Sequence, residues 1–184
     1  MIRETIVTTV SAGGVPHIAP IGLIESADGW IIAPFRPSTT LENLRAVPYA
    51  VANHTDDVRV FAGCLTSRRS WPCVPAQLVP APRLQDALSH AELAVTRVDE
   101  DELRPRFHCR VVRTAMHAPF QGFNRAQAAV IEAAILVSRL GFLPRDKVIQ
   151  EISYLEIAVG KTAGEAEREA WDWLMQAIKS HYAR

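Results

Sequence analysis

The hydrophobic period of this chain changes near residue 120, and that change constrains the fold more than any other feature. Upstream, short β-branched runs alternate with Gly- and Pro-containing turns, the pattern of a small antiparallel barrel or sandwich. Downstream, apolar residues recur at helical spacing. The reading is an α+β protein with a strand-rich part over 1–120 and a helical part over 121–184.

In the first part, "ETIVTTV" (4–10), "PHIAPIGLIES" (16–26) and "WIIAPF" (30–35) are three strands joined by the turns "SAGGV" and "ADG", which makes a meander. A short helix over 40–46 and a strand "YAVANH" (49–54) follow. Thr55 can cap a second short helix, "DDVRVFAGCL". The Pro- and Arg-rich stretch 66–82 reads as an excursion loop. Residues 91–100 and 106–116 are two more strands. In the latter, Phe107, Cys109 and Val111 share one face, with His108 and Arg110 on the other.

In the second part, Asn124 and Gln127 have capping-box spacing, and the helix they open runs to Leu140 with Gly141 as its stop. It is apolar on nearly every side and should be buried. A second helix spans 144–159, with Pro144 near its first turn. A third opens on the T-x-x-E box of Thr162 and Glu165. It carries a stripe of Ala166, Ala170, Trp173, Leu174, Ala177 and Ile178.

Twenty basic residues balance twenty acidic ones, which argues against a general nucleic-acid binder. The cysteines Cys64, Cys73 and Cys109 share no C-x-x-C spacing and read as reduced thiols of a cytoplasmic protein. The N-terminus lacks the apolar core of a signal peptide, and the longest apolar run, 128–137, is too short to span a membrane. No His spacing suits a metal.

The chemistry-bearing stretch is "PFRPSTTLENL" (34–44), where a strand ends and a helix starts amid three hydroxyls with Arg36 just upstream. A helix start presents unpaired N–H groups and a partial positive charge. Ser38, Thr39 and Thr40 could add hydroxyl donors, and Arg36 a forked cation. The alternative is that one residue caps the helix and the others are simply solvated. Asn43 likewise either reaches an anion or fastens the short helix to its neighbours.

Taken with its upstream strands, the segment from Thr8 to Asn53 resembles the flavin reductase type of FMN-binding split barrel. The matching features are the Gly turn, the "PH" strand, Arg36-Pro37-Ser38-Thr39-Thr40 as an R-x-S-x-T segment, and Ala50 to Asn53 as an "AV-N" element. More specifically the chain resembles the domain of unknown function 447 family, through "TTLENL", "NHTDDVRVFA", "EAAILVSRLGFL" and "GKTAGEAEREA". The resemblance covers most of the chain and leaves 66–82 poorly matched.

It implies a split β-barrel with FMN as cofactor and a phosphate held at 36–40. The isoalloxazine would lie beside Pro20, Ile21 and Gly22, with Asn53 among the surrounding residues. It also implies a homodimer with flavin in grooves at the interface. Classical flavin reductases often place hydroxyls beside the ring, where this chain has Pro20 and Gly22, so contacts there would be mainly to backbone. His17 would stand near the cofactor or stabilise a turn.

Three functions fit. The first is an FMN-dependent oxidoreductase, with hydride chemistry carried by the flavin rather than by an acid–base pair. The second is a non-catalytic flavin-binding or assembly module. The third is a protein for another phosphorylated ligand, such as a deazaflavin or a pterin-type carrier.

Overall fold

The computed structural model describes residues 1–183. It divides the chain into two compact units, one of 1–55 with 71–120, the other of 56–70 with the stretch from 121 onward.

The first unit is a closed six-stranded antiparallel barrel. Strands β1 (Ile2–Val10), β2 (Pro16–Ser26), β3 (Gly29–Ile32) and β4 (Tyr49–His54) precede two hairpin-like pieces, β5 (Cys73–Val74) and β6 (Arg83–Leu84). Strands β7 (Ser89–Asp99) and β8 (Arg106–Met116) complete it. The barrel order is β1-β2-β3-β8-β7-β4, closed by β1 against β4, while β5 and β6 form a separate ribbon. The expected meander is present: β1 pairs with β2 from Ile2↔Ile24 to Val10↔Pro16, and β2 with β3 through Ile24↔Ile31. Gly29 sits at φ +142°, and a Cβ there would lie 2.5 Å from the Cys109 carbonyl oxygen. Only glycine allows that turn to press against β8.

The interior follows the two-residue period of the strands. Val7, Leu23, Ile32, Ala52, Leu93 and Phe107 point inward, and Leu41 and Leu44 of helix α1 (Thr39–Ala46) pack into the same core. Register shifts in the β7–β8 pair after Glu92 and Val95 break that period locally. Val111, expected on the inner face with Phe107 and Cys109, is 36% exposed.

Strand β3 ends at Ile32 instead of running to Phe35. The Ala33 carbonyl accepts from Arg104 Nε and Nη2 instead of a neighbouring strand. The stretch 73–88 is not an open loop. It straps across outward-facing residues of β1, β4 and β7, burying Val79 and Ala81 against Val10 and Val51. Its backbone polar groups are satisfied by buried side chains. Thr8 Oγ1 donates to Pro82 O, Asn53 Oδ1 accepts from Leu84 N at 2.7 Å, and the Glu92 carboxylate accepts from Gln77 N at 2.9 Å and Leu78 N at 2.6 Å.

The second unit packs α2 (Arg59–Leu65), α3 (Arg125–Ser138), α4 (Arg145–Thr162) and α5 (Glu165–Tyr182) around Val58, Ala62, Val130, Ala133, Ala170 and Leu174. Helix α2 starts later than a cap at Thr55 would place it. Asp57 accepts the Arg59 N–H and pairs with its guanidinium at 2.8 Å. Asn124 caps α3 by accepting from Ala126 N, while Gln127 donates to Glu167 rather than completing a box. The expected Thr162 box is displaced by two residues. Thr162 is still helical and donates to Ala158 O, and Glu167 accepts from the Gly164 N–H at the true start of α5. Among the described residues no helix is long and apolar enough to cross a membrane.

Candidate functional site

The site is built where β3 gives way to α1. Ser38 is the N-cap: its backbone is extended and its Oγ accepts from Leu41 N at 3.3 Å. A hydroxyl in that role still has its own hydrogen to donate outward. Thr39 is exposed, whereas Thr40 is buried. Of the three hydroxyls, that of Thr39 therefore belongs to an exposed residue and that of Ser38 to a half-buried one, beside the start of the helix.

Arg36 stands two residues before the cap, and its peptide bond to Pro37 is cis. Its backbone N–H donates to Leu103 O and its Nε to Asp101 O at 3.1 Å. Its Nη2 pairs with Glu100 at 2.7 Å. Those partners lie on the β7–β8 connection. There the Asp101 carboxylate accepts from Leu103 N and Arg104 N. The Arg104 N–H first, then that of Leu103, hold Asp101 below the usual carboxylate range. Arg104 stacks over Phe35 at 4.4 Å. Glu100 also accepts from Arg45 of α1, 55 residues away in sequence. Glu100, Arg45 and Arg104 carry no sequence motif, so only the fold brings them to Arg36.

The two asparagines turn away from this surface. Asn43 is buried and donates to Thr9 Oγ1 at 3.0 Å, bracing α1 against β1. Asn53 is wholly buried in the barrel wall. Its amide nitrogen lies within bonding reach of Ile6 O, Thr8 Oγ1 and Val51 O, and its oxygen holds the strap at Leu84. The polar atoms of Asn53, expected among the cofactor contacts, are thus engaged inside the protein.

Pro20, Ile21 and Gly22 lie half-buried on β2, opposite Ile6, Thr5 and Glu4. From Ala19 to Leu23 the strand pairs with β1 alone, since β3 joins β2 only from Ile24. Proline is tolerated at such an edge because it need not donate to a second ladder. Gly22 lies under the Ile2 side chain, where an added Cβ would meet Cγ2 at 2.9 Å. Helix α1 rests against β1 and β2. A guanidinium, the Ser38 and Thr39 hydroxyls and a helix start suit a phosphate, and an open strand edge suits a flat heterocycle that bonds to backbone.

The model of the N-terminal domain of a protein family of unknown function, DUF447, matches residues 3–118, and that of its C-terminal domain matches residues 124–176. Among solved structures, the chain is similar to an FMN-bound protein of that family from Methanosarcina mazei. The TM-score is 0.82 at 20% identity, over 96% of this chain and 94% of that one. It is similar in fold to 2-nitrobenzoate 2-nitroreductase from Pseudomonas fluorescens, with a TM-score of 0.53 at 18% identity over 61% and 64% of the two chains. Flavoredoxin from Methanosarcina acetivorans gives a TM-score of 0.53 at 12% identity over 63% and 69%. No curated protein matches the sequence.

Proposed function

The chain belongs to the DUF447 family, and on that premise we propose that it binds FMN and serves as a flavin-dependent oxidoreductase. The observation that carries this reading is the exposed Arg36 and Thr39 with the half-buried cap Ser38 at a helix start, in the same barrel unit as the one-sided β2 edge. The FMN-bound relative, alike over nearly the whole chain, supports it.

In this reading Arg36 supplies the cation for the phosphate. Ser38 and Thr39 donate hydroxyl and backbone hydrogens to it, and Thr40 contributes only backbone. Ile21 lies against the flavin ring while the main chain of Pro20 and Gly22 orients its edge. Asn43 and Asn53 are braces behind the site. When bound, FMN supplies the redox chemistry; the protein positions it and balances its charge.

A homodimer is part of the same proposal. The barrel unit exposes Ile2, Phe35 and Leu103 at 54–62%, apolar surface that a second copy would cover while completing the ring site. We place the protein in the cytoplasm, since cysteines without paired spacing suit a reducing compartment.

The test is FMN titration of Arg36→Ala combined with Ser38→Ala. Loss of charge-assisted hydrogen bonds should weaken binding roughly tenfold or more with the fold retained. Unchanged affinity would overturn the site assignment.

A further inference from the structure

We infer that Glu100 is an internal competitor at the phosphate seat, occupying Arg36 until a more strongly anionic group displaces it and so lowering the affinity for phosphate-bearing flavins. The inference rests on the FMN reading above. The Glu100 carboxylate takes Arg36 Nη2 at 2.7 Å on one oxygen and Arg45 Nη2 at 2.8 Å on both. Arg36, Arg45 and Glu100 side chains are 36%, 45% and 60% exposed. Ion pairs so open to solvent are weak and readily exchanged. A phosphate monoester carries roughly −1.5 to −2 charge at neutral pH and three acceptor oxygens, against a single charge on the carboxylate. It is the better partner for Arg36.

The exchange disturbs little else. Arg36 keeps its Nε on Asp101 O and its backbone N–H on Leu103 O, so the guanidinium stays aimed while Nη2 changes partner. The turn that presents those carbonyls is fixed by the Asp101 carboxylate. Glu100 in turn keeps both oxygens on Arg45, so the released carboxylate is never left unpaired. What remains is a competition that only a phosphate-bearing ligand meets. A flavin without a phosphate does not engage Arg36 and leaves the Arg36–Glu100 pair in place. Removing the charge at position 100 should therefore strengthen phosphate-bearing flavins alone, and only through Arg36.

The experiment is a fluorescence titration with FMN and with riboflavin at fixed ionic strength. It compares wild type, Glu100→Gln, Arg36→Ala and the double variant. Glu100→Gln should tighten FMN about two- to fivefold, the range a single exposed ion pair commands. It should leave riboflavin unchanged, and the gain should vanish in the Arg36→Ala background. A gain shared by riboflavin, or one that survives Arg36→Ala, would overturn the inference. So would an unchanged or weakened FMN affinity in Glu100→Gln. If Arg36→Ala still weakens FMN in that last case, the FMN reading stands without the competition. If Arg36→Ala also changes nothing, both fall.

Discussion

Asn43 Nδ2 donates to Thr9 Oγ1 across 3.0 Å with both side chains sealed from solvent. This bond fixes helix α1, and with it the cap at Ser38, to strand β1. The geometry of the proposed phosphate seat is therefore set by a residue whose own side chain is buried.

Replacing Asn43 with Ala should leave the Thr9 hydroxyl short of a buried donor and lower stability by about 1–3 kcal/mol. A urea melt would register this as an earlier midpoint. The loss of FMN affinity should be smaller than for Arg36→Ala with Ser38→Ala, because the brace is behind the site rather than in it.

Glu92 fastens the 73–88 strap by accepting Gln77 N and Leu78 N, with Arg113 Nε 3.8 Å away and His90 Nε2 3.4 Å away. Removing the carboxylate strands both N–H groups and leaves the neighbouring cation without its partner. Glu92→Ala should cost about 2–4 kcal/mol. Hydrogen exchange at Gln77 and Leu78 should accelerate before that of the β1–β2 amides.

The same cluster gives the protein an acid-labile side. Burial first, then Arg3 and His90, hold the His54 imidazole below its usual range. Burial, Arg83 and His90 do the same to His117, whose Nε2 lies 2.8 Å from His90 Nδ1. Burial alone would push the Glu92 carboxyl up, but the N–H groups of Gln77 and Leu78 together with His90 outweigh it and hold it below the ordinary range. All three groups bind protons more readily unfolded than folded, so stability rises with pH wherever they titrate. The histidine contribution is complete above the ordinary value of 6.5 and is lost as pH falls through the lowered folded values. The Glu92 contribution is complete above 4.5 and is lost at still lower pH. Thermal melts should show a Tm plateau above neutrality that declines below it, and His54→Gln should flatten the first part of the decline. A Tm rising on acidification would contradict the arrangement.

Local chemistry made much of this legible in advance. The tight turns at 11–15 and 27–29, the change of period near residue 120 and the hydroxyl-rich helix start are all written in short windows, and the structure has each of them. What escaped depends on partners distant in sequence. Helix α2 is too short to declare its neighbours, and only packing shows that Val58 and Ala62 belong with α3 and α5. Two x-x-E registers overlap at 162–167, and the choice between them rests on Thr162 being needed by α4. The bonds that engage the Asn53 amide with β1 and the strap are likewise set by partners distant in sequence. Glu100 meets Arg36 and Arg45 only because the β7–β8 connection closes over α1, a relation no local pattern encodes.

The most direct test of the central claim is the visible absorbance spectrum of freshly purified protein, followed by release and identification of any chromophore. The account predicts flavin bands, with FMN released on denaturation, or their appearance after FMN is added and the excess removed. A spectrum that stays flat through both steps would contradict it and leave the barrel as a non-catalytic binding module.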